Sequence, residues 1–139
     1  MLLLALVGCG PATVTPPQPS GTATTICEAL IADLPETVEE QQQRDVDPPS
    51  GYTAAWGRPP ITLACGVSKP AALTRTSECL EVNGVGWFSE DREDDVRFTT
   101  IGRETFVQVV VPRDYTAVNP LIDLAAPIKR DVPVVTECV

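Results

Sequence analysis

The number and placement of its cysteines constrain the possible folds of this chain more than any other sequence feature. Of its five cysteines, Cys9 lies near the N-terminus, and Cys27, Cys65, Cys79 and Cys138 are spread over the rest. Outside the cytoplasm, an even set of cysteines is typical of disulfide bonds, and sequence alone leaves three connectivities open. We predict Cys65–Cys79, which would close a short loop between neighbouring strands, and Cys27–Cys138, which would join the two ends of the domain. The alternative is four buried free thiols.

The residues before Cys9 are typical of a signal for export. Met1 to Val7 are apolar, Gly8 is small, and the run is far shorter than the roughly 20 residues that span a bilayer. Leu6-Val7-Gly8-Cys9 resembles the bacterial lipobox, in which cleavage before the cysteine precedes lipidation of that cysteine. We therefore predict a signal peptide over residues 1–8. No Lys or Arg precedes the apolar run, so either the signal peptide is truncated because translation starts further upstream, or the signal is unusually short. The alternative is a chance apolar start of a cytoplasmic protein, with Cys9 a stray thiol.

The segment that follows Cys9 is rich in Pro, Thr and Ser. Such a composition is typical of extended, mobile chain. We interpret residues 9–24 as a lipidated, disordered tether and residues 25–139 as one disulfide-bonded domain. The predicted location is the cell membrane, lipid-anchored on the extracytoplasmic side.

Charge and residue types exclude several classes of function. The net charge of −9 and the pI of about 4.3 argue against nucleic-acid binding and against contact with anionic lipids other than through the anchor. The chain has no histidine, which excludes Ser-His-Asp and Cys-His catalysis and histidine-based zinc sites. Five carboxylates surround Arg92 between Glu90 and Asp95, but their spacing is not that of an EF-hand. We predict no metal and no cofactor.

Helical periodicity occurs near both ends of the predicted domain. Apolar residues at i, i+3, i+4 and i+7 predict a helix over Thr25 to Leu34 with Cys27 facing inward, begun by a capping box at Thr25. A second helix is predicted after Asn119-Pro120, shortened or kinked by Pro127. Its apolar face consists of Leu121, Leu124, Ala125 and Ile128.

Strand patterns fill the middle of the chain. Residues 36–51 are polar and are predicted to be a surface loop, whereas residues 52–56 and 61–67 are predicted strands. Asn83-Gly84 predicts a two-residue hairpin turn, and Gly102-Arg103 predicts a second hairpin with arms 96–101 and 104–111. The predicted fold is α+β: a mainly antiparallel sheet built from hairpins, flanked by an N-terminal and a C-terminal helix on one face.

Three segments resemble a known family. They are Ala55-Trp56-Gly57-Arg58-Pro59-Pro60-Ile61-Thr62-Leu63-Ala64-Cys65-Gly66-Val67, Cys79-Leu80-Glu81-Val82-Asn83-Gly84-Val85-Gly86-Trp87 and Phe98-Thr99-Thr100-Ile101-Gly102-Arg103-Glu104. With the lipobox, they resemble a family of small exported actinobacterial proteins that is catalogued only as a domain of unknown function. The resemblance implies a cell-envelope setting and supports the disulfide interpretation, but it implies no catalytic residues.

Three functions follow as hypotheses. The first is a non-catalytic envelope lipoprotein that binds a protein or wall component through Trp56, Arg58, Trp87 and Arg103, since Trp and Arg dominate interface energetics. The second is capture of a small apolar ligand or lipid between sheet and helices. The third, and weakest, is a wall-glycan enzyme that uses the carboxylates of Glu81 and Glu104.

Overall fold

Alternating apolar residues produce most of the strands in the computed structural model, which describes residues 10–138. In chain order the elements are β1 (Ala12–Thr13), α1 (Thr22–Asp33), β2 (Thr37–Val38), β3 (Gln41–Arg44), β4 (Val46–Asp47), β5 (Thr53–Trp56), β6 (Ile61–Val67), β7 (Leu80–Val82), β8 (Val85–Asp91), β9 (Asp95–Thr100), β10 (Phe106–Pro112) and α2 (Asn119–Asp131).

Eight strands form one sheet in the order β2-β3-β5-β6-β10-β9-β8-β7. All neighbouring strands in this sheet are antiparallel, and hairpins join β5 to β6, β7 to β8, β8 to β9 and β9 to β10. Strands β1 and β4 pair in parallel outside it. The predicted α+β fold, with a mainly antiparallel sheet and two flanking helices, is confirmed.

Both helices cover the same face of the sheet. Along β10, Val107, Val109 and Val111 are buried, whereas the residues between them are half-exposed. The buried positions join the apolar faces of α1 and α2 in one core because strand side chains alternate between the two faces. The largest fully buried side chains are Trp56, Trp87, Leu30, Ile61, Leu63, Leu121, Leu124, Ile128, Val38, Val85, Val107 and Val109.

Asn83 and Gly84 form the turn between β7 and β8, as predicted. Their φ angles are 49° and 87°, which is the pair of positive values that a type I′ turn needs. The predicted pairing of β9 with β10 is also confirmed. Their connection spans residues 101–105 and is therefore longer than the predicted two residues. Within it, the carbonyl of Gly102 accepts hydrogen bonds from the C-terminal tail.

Helix α1 begins earlier than predicted. Thr22 is its first residue, Gly21 precedes it, and no side chain caps it. Thr25 is already inside the helix, so the predicted capping box does not form. Cys27 and Leu30 are buried, as the predicted helical face requires.

The predicted mobile tether is wrong for the part of it that the structure describes. Ala12 and Val14 are buried against Ala55 and Val46 on the sheet face opposite the helices. The N–H of Ala12 donates to the carbonyl of Asp45 at 2.8 Å. The error arises because the compositional argument ignores the small apolar residues, Ala12 and Val14, that alternate within this polar segment.

The predicted surface loop over residues 36–51 instead contains the short strands β2, β3 and β4. Only Val38 in these strands is buried. Strand β3 lies next to the edge of the sheet, where its side chains are not buried. It therefore needs no alternation of apolar residues. The backbone pairing of Gln43 with Trp56 holds it in place.

Helix α2 has the predicted apolar face but is not shortened by its proline. It runs to Asp131 with Pro127 inside it. Pro127 is itself buried, and this packing offsets the one helical hydrogen bond that proline removes. Within residues 10–138, neither helix is long and apolar enough to cross a membrane.

Candidate functional site

The four cysteines of the domain form two disulfides, as predicted, but with a different pairing. Cys27 bonds to Cys65 and Cys79 bonds to Cys138, with Cα–Cα distances of 5.4 Å and 5.7 Å. The first disulfide joins α1 to β6 inside the core, where both residues are fully buried. The second joins the residue before β7 to the C-terminal tail.

Strand order explains why the predicted pairing is wrong. Three strands, β10, β9 and β8, lie between β6 and β7. Four spacings of about 4.8 Å place these strands about 19 Å apart, far beyond the roughly 7 Å between Cα atoms that a disulfide tolerates. Cys65 is therefore out of reach of Cys79, and α1 instead brings Cys27 to it.

Both tryptophans that we predicted to bind a partner lie in the core. Trp56 and Trp87 have no exposed surface. The indole N–H of Trp56 donates to the carbonyl of Pro35 at 3.0 Å, and Trp87 packs edge-on against Phe98 with ring centroids 6.3 Å apart. Neither side chain is available to a partner at the surface.

Arg103, a third predicted contact residue, bonds within the domain. Its guanidinium donates to the carbonyls of Val132, at 2.6 Å, Gly84, at 3.2 Å, and Ile128, at 3.5 Å. Burial lowers the pKa of this guanidinium, which nevertheless stays charged. Arg103 thus ties the C-terminal end of α2 to the β7–β8 turn.

Arg58, the fourth predicted residue, is exposed and lines a surface groove. We call this site the Arg44–Arg58 groove; its volume is about 760 Å³. It lies where the N-terminal segment crosses the turn after β5. Its lining residues are Gly10, Pro11, Gln43, Arg44, Asp45, Val46, Asp47, Pro49, Ser50 and Arg58.

Arg44 organises this groove, and sequence reasoning missed it. Its guanidinium donates to the carbonyls of Gly57 and Gly10, each at 2.8 Å, and Arg58 donates to the same Gly10 carbonyl at 3.4 Å. The Nε of Arg44 is buried without an acceptor among residues 10–138. The only signal in the sequence is one arginine that ends a run of glutamines.

The charges of the groove balance. Asp45 and Asp47 are exposed beside the two arginines. Two cations and two anions in one groove suit a polar ligand with several hydrogen-bonding groups better than a simple anion.

The carboxylates of the predicted glycan enzyme do not share a groove. Glu81 lines a groove of about 190 Å³ around Arg103, and Glu104 is not among the residues that line it. Both side chains are exposed. The structure gives no flanking pair of acids around one cleft at these positions.

Three of the five carboxylates between Glu90 and Asp95 bond to arginines. Arg92 bonds to Asp95 at 2.6 Å, Arg97 to Glu90 at 3.2 Å, and the side chain of Arg113 to Asp91 at 3.2 Å. The hydrogen bond from Arg92 lowers the pKa of Asp95. In the described part of the chain, no cluster of three His, Cys, Asp or Glu side chains is arranged to hold a metal ion.

Comparison with known proteins gives a family but no activity. Residues 7–136 match the profile of a family described as a protein of unknown function, DUF3515. The chain belongs to this family. The predicted membership of a family of unknown function is therefore confirmed, while the actinobacterial source and the lipidation stay predictions. No curated protein and no solved structure matches the chain.

Proposed function

We propose that this protein is a lipid-anchored lipoprotein of the cell envelope that acts as a non-catalytic binding module. The observation that carries the proposal is the position of Gly10, the residue after Cys9. Arg44 and Arg58 both donate to its carbonyl, so the chain next to Cys9 is fixed to the domain. A lipid on Cys9 would hold the Arg44–Arg58 groove close to the membrane surface.

Two further features support an extracytoplasmic setting. The two disulfides are typical of an oxidising compartment. Leu6-Val7-Gly8-Cys9 resembles a lipobox, whose cysteine is the acceptor of the lipid. Stable anchoring takes two acyl chains, which a diacylated cysteine provides.

Binding is favoured over capture of an apolar ligand because the sheet–helix interface is filled. Leu30, Leu63, Leu124 and Ile128 are all fully buried in one apolar cluster that joins the sheet and the helices. An apolar ligand would need a cavity at this interface. The Arg44–Arg58 groove instead offers polar groups at the surface, which suit an envelope protein or a wall component.

Metabolic labelling with an alkyne fatty acid tests the anchor. We expect the wild-type chain to carry the label, to begin at Cys9 and to sediment with membranes. The Cys9→Ala variant should lose the label and the sedimentation, and Ser20→Ala in the same segment is the matched control. Equal labelling of the Cys9→Ala variant, or an intact Met1 in the mature protein, would contradict the proposal.

In-cell crosslinking tests the groove. We expect Arg58→Ala to reduce recovery of a crosslinked envelope component, because Arg58 is exposed at the groove and its guanidinium makes a single long hydrogen bond among residues 10–138. Arg75→Ala removes the same charge from an exposed loop that does not line the groove. Unchanged recovery with Arg58→Ala would argue against the groove as the binding site.

A further inference from the structure

The last strand of the sheet covers only part of its neighbour. Strand β7 has three residues, and it pairs with β8 only as far as the Leu80–Trp87 pair. Strand β8 continues to Asp91, paired with β9 on its other side. The edge of β8 from Phe88 to Asp91 therefore has no strand beside it among residues 10–138.

Hydrogen-bond alternation identifies which backbone groups this edge presents. The N–H of Ile101 donates to the carbonyl of Gly86, and the N–H of Arg92 donates to the carbonyl of Asp95. In an antiparallel pair, hydrogen-bonded and non-hydrogen-bonded residues alternate. The even-numbered residues of β8 therefore bond to β9. The N–H and C=O groups of Ser89 and Asp91 point the other way, toward the open edge.

A groove runs along this edge. It has a volume of about 780 Å³ and lies between β8 and the chain that leads into β7. Leu80 is 39% exposed at one end of the groove, and Phe88 is half-buried beside it. Ser77 and Glu78 line it from the chain that leads into β7, and Ser89 and Asp91 line it from β8.

The charge of this groove has one sign. Glu78 and Asp91 line it, both are exposed, and no cationic side chain from the described part of the chain lines it. The Asp91 side chain remains 80% exposed although it bonds to Arg113. The two carboxylates would repel a second copy of the same edge and attract lysine or arginine.

We propose that the open edge of β8 is a docking site for an extended, basic peptide segment of another protein, which adds to the sheet as a short strand. Backbone hydrogen bonds to Ser89 and Asp91 fix the position of the added strand, as in other cases of strand addition. Residues opposite Ser89 and Asp91 share the face of the Asp91 carboxylate. The residue between them lies opposite Glu90, on the face that also carries Phe88, and the Glu90 carboxylate is already bonded to Arg97. The preferred sequence therefore alternates basic and apolar residues. This site is separate from the Arg44–Arg58 groove and does not depend on a lipid at Cys9.

Peptide binding to the full-length chain tests the site. The probe is a capped five-residue peptide of alternating lysine and valine, and its matched control replaces lysine with glutamate. We expect the lysine peptide to bind and to shift the amide NMR signals of Ser89 and Asp91. The glutamate peptide should bind about tenfold more weakly, because like charges face each other in the groove. Absence of binding by the lysine peptide at millimolar concentration, or equal binding of both peptides, would overturn the proposal.

Ser89→Pro removes the outward N–H donor without removing a bond to β9, since proline is tolerated at sheet edges. We expect this variant to keep its unfolding midpoint and to bind the lysine peptide about tenfold more weakly. Ser89→Ala, which keeps the N–H, should bind like the wild type. Unchanged binding by a folded Ser89→Pro variant would refute the edge as the site.

A charge-reversal variant tests whether the peptide binds at the β8 edge, even where Ser89→Pro does not fold. The double variant Glu78→Lys/Asp91→Lys should prefer the glutamate peptide over the lysine peptide. An unchanged preference would overturn the proposal. So would concentration-dependent dimerisation that Ser89→Pro abolishes, because it would assign the edge to a second copy of the chain. The acylation of Cys9 is measured separately, so failure of either proposal is distinguishable from failure of the other.

Discussion

Removal of the buried disulfide should cost a large share of the stability of this domain. Cys27 and Cys65 are 38 residues apart, and the chain-entropy model gives about 4 kcal/mol of free energy of unfolding for a loop of that length. In urea, with a slope of about 2 kcal/mol per M, this loss lowers the midpoint by about 2 M. The Cys27→Ala/Cys65→Ala variant should show this shift in circular dichroism.

The matched variant removes the second disulfide. Cys79 and Cys138 are 59 residues apart, so the same model again gives about 4 kcal/mol. A loss below about 1 kcal/mol in either double variant would show that the loop-closure argument does not apply here.

A mixed variant tests the connectivity itself. In a Cys9→Ser background, Cys65→Ala/Cys79→Ala removes one partner from each disulfide and should leave Cys27 and Cys138 as two alkylatable thiols. The combined loss of about 8 kcal/mol would be comparable to the whole stability of an ordinary domain. Zero alkylatable thiols in this variant would instead support the pairing that we predicted from the sequence, and would refute the structural argument from strand order.

Three single substitutions should each change the stability of the domain. Arg103→Ala should lower the free energy of unfolding by about 2 kcal/mol, measured in urea, because three backbone carbonyls lose a charged donor. Asp131→Asn should stabilise the domain at neutral pH: burial and Asp33 raise the pKa of Asp131, so the wild type loses stability as pH rises through that pKa. The gain should shrink on acidification in urea titrations across pH, and a gain independent of pH would contradict it. Gly66→Ala should cost about 1–2 kcal/mol and expose residues 10–20 to protease, because Gly66 has a φ of +92° and a Cβ there would lie 2.6 Å from Pro19.

Local patterns predict the parts of this fold that depend on neighbours in sequence. Asn83-Gly84 determines a turn by its φ angles, and the alternation at Val107, Val109 and Val111 determines which face of β10 is buried. The same holds for the apolar face of α2. These features need no knowledge of the rest of the chain.

Features that depend on strand order could not be predicted in this way. The partner of Cys65 is determined by where α1 packs, not by the distance along the chain. Strand β3 is held by backbone pairing with β5 and has no apolar pattern of its own. The groove around Arg44 forms because the N-terminal segment packs against the sheet. The Pro-rich composition of that segment does not predict this packing.

Aromatic and cationic residue types were a poor guide to the surface. Trp56 and Trp87 fill the core because large apolar side chains stabilise most when buried. Arg103 satisfies backbone carbonyls at a helix end. Only Arg58 combines the predicted residue type with exposure.

The two disulfides follow one another along the chain without crossing. The bond between Cys27 and Cys65 closes entirely before Cys79, where the second begins. For a polypeptide threaded N-terminus first through a translocation channel, the first crosslink can therefore be completed while the second pair is still inside the channel. Oxidation can then proceed in order of emergence, with no need for an isomerase to reshuffle interleaved partners.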